Sequence, residues 1–546
     1  MAAVVLGAAA SFVGVVFFEA ALIVNGFLVG RPPSFLRLIV LSPVMAGICC
    51  AWLAKGIEGG FQGLADTVLA ARCGRYLALK DGLLSSLAAL ASFGGGASVG
   101  LYGPIAHLGG LLSNFSKRVL APDVGAACGV AAAIAAVFNA PITGLIFAQE
   151  VVLRRYSLRT FTPLAISSVV GYAISAGLLE RPAFLQIGGM AEIKPWTVLL
   201  FALQGILFGA VAAFYTHAIF AVNRLSSSVS LLWRLSIAGA ITGVLTLMTP
   251  QIAGSGRELL VLTVYGFSGD WQTATALTGA KIAATVLCLG VGFAGGIVSP
   301  TLVIGALLGF LFGTFIEGVP IFVSVVCGMM ALTTPVIGAP LAGVLFVLEL
   351  SGNYSISIAA AVSIAISTYT AARLGGGSFY DRQLQEQGVD ITVGKEMMLM
   401  KEQSVGALAV GDFVSLPDTE TAKSAECAMI EKQTDECFII DADGRYIGSL
   451  RLPVAAHIAA VGKGDALLAE LAESPQEFLY ADENLAAAMK KIAEFSDGWV
   501  AVLRRDGTLI GGLVKLSSCA LILPPCKNYA MKTRTDKQCK TLWMSP

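Results

Sequence analysis

Apolar residues dominate the chain from Met1 to about Leu374, and short charged clusters such as Lys117-Arg118 and Arg154-Arg155 interrupt them. A helix of about 20 apolar residues spans a bilayer, so roughly ten spans would fit in this length. Glycine and proline break several of the runs into shorter pieces. Because broken helices at membrane depth usually line a site, the pattern predicts an all-α, polytopic membrane domain over residues 1–380 with a binding site inside it.

The two ends of the chain have a different character. Residues 1–30 are apolar without a basic start, and we interpret them as a first membrane helix rather than a cleaved leader. A charged linker is predicted over 381–404, and alternating polar and apolar residues follow over 405–523. Residues 524–546 carry lysine and arginine without a periodic apolar face, which predicts a basic, flexible tail that could touch anionic lipid.

The membrane part contains an internal duplication. "NAPITGLIFAQE" (Asn139 to Glu150) recurs as "GAPLAGVLFVLE" (Gly338 to Glu349), with the prolines 199 positions apart. "GGGASVGLYGP" ends at Pro104 and "GFAGGIVSP" ends at Pro300, 196 positions later. Two homologous halves, in the same order and at similar spacing, explain both pairs better than chance similarity of apolar helices.

Three Gly-rich breaks fall within these halves, which cover about 1–180 and 195–380. Gly59-Gly60-Phe61, Gly100 to Pro104 and Gly295 to Pro300 each place glycines where a helix would begin. The N-terminus of a helix offers free N–H donors and a partial positive charge, so converging ends predict an anion site at the interface of the halves. One break alone would fit close helix packing equally well.

The soluble end contains a second duplication. "CFIIDADGRYIGSL" (Cys437 to Leu450) and "WVAVLRRDGTLIGGL" (Trp499 to Leu513) each predict a strand, an Asp-Gly turn and a strand. An alanine- and leucine-containing helical stretch precedes each hairpin. The sequence therefore predicts two small α/β modules that pack as a pair.

Composition supports a membrane protein and excludes other classes. Of 546 residues, 56% are hydrophobic and 13% charged, and the mean hydropathy is +0.78. Basic and acidic residues balance at 36 each, which argues against a nucleic-acid partner. The eleven cysteines form no CxxC pair, and only three histidines occur, so we expect no metal site and no cofactor. No nucleophile and base stand at a useful spacing, so we do not expect an enzyme.

The ordered motifs "GGGxxxGxxGPxxHxGG", "FNAPxxGxxFxxE", "GAPLxGxxxxxE" and "GGGSFY" resemble the CLC family of chloride channels and proton-coupled chloride transporters, with two C-terminal CBS modules. The resemblance implies two inverted repeats with broken helices and a multi-pass membrane protein whose CBS modules lie in the cytosol. It also implies a homodimer in which each subunit has its own pore. It does not indicate which membrane holds the protein.

Several family positions differ in this chain. Gly59 stands at the central serine, Tyr102 at the gating glutamate, Val151 at the proton-relay acid and Val298 at a phenylalanine, whereas the inner tyrosine is kept as Tyr380. The resemblance implies gate residues Tyr102 and Tyr380. It implies anion-binding residues Gly59, Gly60, Phe61, Leu101, Tyr102, Gly103, Ile297, Val298, Ser299 and Tyr380.

These departures predict the type of transport. An unperturbed glutamate has a pKa near 4.3, and burial can raise it into a working range, whereas an unperturbed phenol has a pKa near 10 and stays neutral. Tyr102 is therefore expected to be a neutral gate, and Val151 cannot carry a proton. We predict a passive, proton-uncoupled anion channel or uniporter. The alternatives are an anion exchanger or a proton-coupled antiporter with another proton route, a divalent-cation transporter, and a non-conducting sensor. Tyr102 could also merely fill space between helices.

Two further expectations concern ligands. Gly59 and Val298 remove bulk beside the central site, so nitrate and bicarbonate are candidate anions beside chloride. In the CBS modules, Val454 and Ser517 stand where nucleotide-binding relatives use aspartate. Nucleotide binding is therefore doubtful, and stabilisation of the dimer is the expected role.

Overall fold

The computed structural model describes residues 1–29, 36–182, 184–185, 195–267, 269–387, 403–409, 413–472, 478–495 and 498–515. The described residues form two compact units, which divide within the predicted linker. The basic tail at 524–546, Ser517 and most of the linker lie outside the described residues.

The first unit is built from helices. They are α1 (Ala2–Leu28), α2 (Leu36–Ala54), α3 (Leu64–Cys73), α4 (Leu79–Gly94), α5 (Tyr102–Leu111), α6 (Pro122–Phe138), α7 (Pro141–Phe147), α8 (Leu158–Tyr172), α9 (Val198–Ser226), α10 (Leu231–Met248), α11 (Arg257–Gly266), α12 (Trp271–Val291), α13 (Val298–Phe315), α14 (Ile321–Ile337), α15 (Pro340–Ser351), α16 (Tyr354–Gly375) and α17 (Phe379–Glu386). In the described part of the chain, seven helices are long and apolar enough to cross a membrane, and five shorter apolar helices accompany them. The unit is thus an all-α, multi-pass membrane domain, as predicted.

The duplication seen in the sequence recurs in the order of the helices. Helices α1 to α8 correspond one by one to α9 to α16, with a long first helix and a short proline-initiated seventh helix in each half. Single π-helical turns, Ala148–Leu153 and Ala173–Leu178, extend α7 and α8. Such turns are rare and occur mainly at functional positions.

Each half caps a helix of the other half. The carboxylate of Glu349 accepts hydrogen bonds from the N–H groups of the second and third residues of α7, at 2.7 and 2.8 Å. Glu150, at the matching position, does the same for α15, at 3.0 and 2.8 Å. An acidic side chain at a helix N-terminus satisfies free N–H donors and complements the helix dipole. Reciprocal contacts of this kind are what a pseudo-two-fold relation between the halves produces.

Glycines let the central helices approach closely. A Cβ on Gly109 of α5 would lie 2.4 Å from the carbonyl oxygen of Gly129 on α6. In the second half, a Cβ on Gly305 of α13 would lie 2.5 Å from the carbonyl oxygen of Gly328 on α14. Small residues at helix contacts are how membrane helices pack without a hydrophobic driving force. They bring α5 and α13 deep into the unit.

The second unit contains two similar α/β modules. Its strands are β1 (Val414–Pro417), β2 (Glu436–Ile440), β3 (Tyr446–Arg451), β4 (Phe478–Tyr480), β5 (Gly498–Leu503) and β6 (Leu509–Lys515), and its helices are α18 (Ala422–Lys432), α19 (Leu452–Ala460), α20 (Leu468–Leu471) and α21 (Leu485–Glu494). In each sheet the first strand pairs in parallel with the second, and the second pairs antiparallel with the third. Both hairpins predicted from the sequence are present.

The two modules contact each other at their hairpin turns. The N–H of Tyr446 donates to the carbonyl oxygen of Gly507 at 3.0 Å, and the N–H of Leu509 donates to that of Gly444 at 3.1 Å. Both turn glycines have positive φ, 77° and 89°, which L residues adopt poorly. The arrangement is compatible with a CBS pair.

Candidate functional site

The N-terminal ends of α5 and α13 are joined directly. Gly100 and Gly296 exchange two backbone hydrogen bonds, both 2.7 Å long. A Cβ on Gly103 would lie 3.2 Å from the Cα atom of Gly296. The two breaks that the sequence pairs in matching positions therefore meet in space, and only glycine allows so close an approach.

Both helix ends carry free amide groups. The N–H groups of Tyr102 and Gly103 in α5, and of Val298 and Ser299 in α13, have no hydrogen-bond partner among the described residues. A proline follows in each helix, where its missing N–H costs nothing. The joined ends thus present several donors and two partial positive charges in one small region.

The third predicted break is not a helix start. Gly59-Gly60-Phe61 precede α3, which begins only at Leu64. The two glycines have φ of 84° and 99°, so they form a left-handed turn. Asp66 accepts a hydrogen bond from the N–H of Gly63 at 2.7 Å and thereby occupies the N-terminus of α3. The prediction that a helix begins at this break was therefore wrong, because Gln62 and Gly63 still precede the first residue of α3.

A cavity of about 280 Å³ lies beside the joined ends. Five residues of the predicted site line it: Gly60, Phe61, Gly103, Ile297 and Tyr380. The hydroxyl of Tyr380 is buried and has no hydrogen-bond partner in the described part of the chain. An unpaired polar atom in such a place is available to a ligand.

Other polar residues of this larger cavity were missed by the sequence analysis. They are Gln62, Ser85, Ser86, Asn223, Arg234 and Gln383. Ser85 accepts a hydrogen bond from the N–H of Gln62 at 2.8 Å and so fixes the loop before α3. Paired serines and a lone arginine in otherwise apolar helices were signals that could have found them. No aspartate or glutamate lies among the described residues of the lining.

A second, smaller cavity of about 40 Å³ adjoins Tyr102 and Val298. Most of its remaining lining is apolar, and Phe138 and Phe346 contribute aromatic rings. Gly103 borders both cavities, whereas Tyr102 and Tyr380 line different ones. The two predicted gate residues are therefore separated by the joined helix ends.

Tyr102 is held in a cluster of aromatic side chains. Its ring lies 4.3 Å from that of Phe138, 6.1 Å from Phe184 and 6.2 Å from Phe18, measured between centroids. Only 4% of Tyr102 is exposed. Several aromatic contacts of this kind restrict the ring and exclude water from the space around it.

Basic residues lie at the Phe18 side of this aromatic cluster. The Cζ atoms of Arg181 and Arg257 lie 4.9 and 6.0 Å from the centroid of Phe18. Arg181 also pairs with Glu19 at 3.0 Å. Arg181 follows helix α8 in the chain. Burial lowers the pKa of its guanidinium, and the nearby Glu19 carboxylate partly offsets this lowering. Aromatic faces attract cations, which explains how the positive charges are tolerated here.

The remaining predicted residues line neither cavity. Gly59 and the fully buried Leu101 are outside both linings. The Ser299 hydroxyl is buried and has no hydrogen-bond partner among the described residues, and a Cβ on Gly100 would lie 2.7 Å from it. Val151 is fully buried in the π-helical turn after α7.

Comparison with known protein families and relatives gives a consistent result. Residues 42–372 match the model of a family described as voltage gated chloride channel. A ClcB-like protein of Ralstonia nicotianae is 30% identical over 386 residues, which are 64% of this chain and 86% of that protein. The H(+)/Cl(-) exchange transporter ClcA of Klebsiella pneumoniae is 29% identical over 54% of this chain and 67% of its own length.

Solved structures share the fold. A slow cyanobacterial Cl-/H+ antiporter superposes with a TM-score of 0.65 at 21% identity, covering 71% of this chain and 97% of its own. A eukaryotic CLC transporter superposes with a TM-score of 0.59 at 16% identity, covering 94% and 96%. The second likeness extends beyond the membrane unit.

Proposed function

Because the chain belongs to the family of voltage-gated chloride channels, we propose that it moves small inorganic anions passively, without coupling to protons. Chloride is the first candidate, and nitrate and bicarbonate are further ones. The observation that carries this proposal is the pair of joined helix ends, which present free N–H donors beside a cavity without a described acidic residue. Amide donors hold an anion without a full opposing charge, so the anion can leave again.

Tyr102 is the proposed gate of this pathway. Its ring lines the smaller cavity and packs against Phe138 and against Phe18, over whose face Arg181 lies. A neutral phenol can obstruct the path of an anion and can donate one hydrogen bond to the anion. Because it carries no negative charge, the phenol cannot occupy the anion's binding site in its place, as a carboxylate would. Tyr380, whose buried hydroxyl is unpaired, is proposed as the second gate residue and as an anion ligand.

The absence of coupling is inferred from the relay position. Val151 is buried and cannot bind a proton. Its neighbour Glu150 has a carboxylate that already accepts two hydrogen bonds from α15. We therefore assign this carboxylate to capping the N-terminus of α15 rather than to a proton relay.

Flux measured in proteoliposomes tests the proposal. Chloride efflux and external pH are recorded together after an imposed chloride gradient. We expect chloride efflux at a rate independent of the proton gradient and no stoichiometric proton uptake. Alkalinisation that follows the chloride flux at a fixed ratio would contradict the proposal, and an absence of any flux would favour a sensor.

A proton-coupled antiporter with a different proton route is the second candidate. It is favoured by a cavity of about 410 Å³ that Glu150, Tyr156 and Asp381 line. Several relatives are named as exchangers of protons and chloride. The same experiment separates the candidates, and Glu150→Gln should abolish coupled proton flux only if this route exists.

We also propose a homodimer with one pathway in each subunit and with the C-terminal modules in the cytosol. Ile142 of α7 and Leu341 of α15 are half-exposed apolar residues at matching positions of the two halves, and either lipid or a second subunit could cover them. The C-terminal modules are proposed to stabilise this dimer without a nucleotide. Chemical cross-linking in membranes tests the homodimer. The same measurement without residues 403–546 tests whether the C-terminal modules stabilise it.

A further inference from the structure

We propose that Arg234 forms an additional anion-binding position in the larger cavity, separate from the joined helix ends. This inference rests on the proposed anion transport and specifies how the anion is collected. Arg234 is the only charged side chain among the described residues that line this cavity.

The Arg234 side chain has no hydrogen-bond or ion-pair partner among the residues that the structure describes. Its Nε atom is buried without a hydrogen bond, and no ion pair with an acidic residue is found in the described part of the chain. A Cβ on Gly292 would lie 3.6 Å from its Nη2 atom, which places the guanidinium against the C-terminal end of α12. A buried guanidinium nitrogen without a hydrogen bond is costly and is available to a ligand.

Stability of the local helix does not explain the residue. Arg234 lies in the first turn of α10. Its backbone N–H donates to the carbonyl oxygen of Ser230 at 3.1 Å. A cation at this end of a helix opposes the helix dipole, whereas an acidic residue would favour it. The charge is thus disfavoured at the start of α10 but favoured at the end of α12, and these two helix ends hold it in the wall of the cavity without an acidic partner among the described residues.

The cavity favours a small, partly hydrated anion at this position. Asn223 and Gln383, whose side chains include amide donors, line the same space. One water molecule needs roughly 10–15 Å³ of cavity volume measured in this way, so about 280 Å³ holds an anion together with several waters. A guanidinium that meets a hydrated anion binds it less tightly than a dry pair would, so the anion can move on to Gly103 and Ile297.

Chloride affinity of the full chain tests this position. Isothermal titration with chloride in detergent, and flux against chloride concentration in liposomes, are measured for the wild type and Arg234→Gln. We expect Kd and the half-saturating concentration to rise about tenfold, as for the loss of one charge-assisted hydrogen bond. The saturating rate should stay within about twofold, because the helix ends and Tyr102 are unchanged. Arg234→Lys, which keeps the charge, should restore most of the affinity.

Arg257 provides the matched control. Its Nε is also buried and unpaired, but it does not line the cavity. Arg257→Gln should leave the chloride affinity unchanged. Wild-type affinity in Arg234→Gln, or an equal loss in both variants, would overturn the proposal. If the wild type moves no chloride, the proposed transport fails, whereas the binding shift in Arg234→Gln still supports the site.

A second measurement uses the wild type alone and so does not depend on whether Arg234→Gln folds. Wild-type crystals soaked in bromide should show anomalous density within hydrogen-bond distance of the Arg234 guanidinium. Density confined to the amide groups of Gly103 and Val298 would overturn the proposal.

Discussion

The two cavities on either side of the joined helix ends differ in size and in chemistry. The larger one, about 280 Å³, carries Arg234, side-chain amides and hydroxyls. The smaller one, about 40 Å³, is enclosed mainly by apolar side chains and by the ring of Tyr102. Gly103 borders both.

This difference suggests that the two cavities affect anion transport at different steps, binding and passage. An anion in the larger cavity keeps part of its hydration and meets donors, whereas an anion in the smaller cavity loses water and gains few partners. Transferring an ion from water to an apolar space is costly. The larger cavity should therefore set how often the pathway is occupied, and the space around Tyr102 should set how fast an anion passes.

Of the changes considered, removal of the Tyr102 ring should have the largest effect on chloride flux, because it alters the smaller cavity and leaves the larger one intact. Tyr102→Ala opens the aromatic cluster to water and lowers the barrier to passage. We expect chloride flux to rise at least tenfold, which corresponds to about 1.4 kcal/mol. Chloride efflux from liposomes, normalised to the amount of folded protein, measures it.

Tyr102→Phe is the control for this variant. It keeps the ring that packs against Phe138 and Phe18 and removes only the hydroxyl. Flux within about twofold of the wild type would assign the barrier to the ring. If Tyr102→Ala conducts like the wild type, the tyrosine only fills space between helices.

An acid at position 102 tests coupling. Tyr102→Glu introduces the titratable group that the wild type lacks, but Val151 still interrupts the relay. We expect no proton movement coupled to chloride, measured as external pH during efflux. Coupled protons in this variant would reveal another route, and the double variant with Glu150→Gln would show whether Glu150 provides it.

A side chain at Gly100 should pull the two helix ends apart. Its Cβ would lie 2.7 Å from the Ser299 hydroxyl and 2.9 Å from the carbonyl oxygen of Gly296. Gly100→Ala should lower the free energy of unfolding by about 2 kcal/mol, as overpacking does, and reduce flux severalfold. Thermal unfolding in detergent and chloride efflux measure both.

Gly279 offers the contrasting site. Apart from the neighbouring backbone of α12 itself, no atom of the described residues lies within 4 Å of a Cβ there, and the residue is in the middle of α12. Gly279→Ala should stabilise the protein by about 0.5–1 kcal/mol through helix propensity. Equal losses of stability at both positions would show that the close approach of the helix ends is not what matters at Gly100.

Glu349 and Glu150 cap the N-termini of α7 and α15. If they serve only stability, the loss of either carboxylate should lower the free energy of unfolding by a similar amount. Glu349→Gln and Glu150→Gln each replace a carboxylate at a helix N-terminus by a neutral amide. We expect each to lower the unfolding free energy by about 1 kcal/mol and to leave anion selectivity unchanged. Matched thermal unfolding curves measure the loss, and a change in ion flux confined to Glu150→Gln would favour the antiporter.

The sequence predicted the repeats and the meeting of the helix ends well. The spacing of Pro104 and Pro300 is a local signal that repeats, and glycines at matching places allow only a few close approaches. The start of α3 was missed because Gly59-Gly60 form a left-handed turn and Asp66 caps the helix later. A capping acid three residues after the N-cap Gly63 was visible, but the glycines were the stronger signal.

The lining of the larger cavity was harder to predict. Arg234 on α10 and Gln383 on α17 lie far apart in sequence, and only the folded arrangement of the helices around the cavity brings them to one space. Nothing in a single sequence says which face of an apolar helix meets a cavity. Backbone donors at Gly103 were predictable because a break in a helix is a local event.

The smallest expected effect concerns the choice between anions. Val298 lines the smaller cavity together with Tyr102, and its side chain is less bulky than the phenylalanine that the family resemblance implies at this position. A planar nitrate and a spherical chloride should therefore permeate at rates within about threefold, which corresponds to a difference of about 0.7 kcal/mol between their barriers. Val298→Phe should narrow the space and favour one anion by a further factor of about two to three. Efflux measured with chloride, nitrate and bicarbonate in parallel gives these ratios. Strict chloride selectivity in the wild type would mean that the amide groups of the helix ends, rather than the room beside Val298, select the anion.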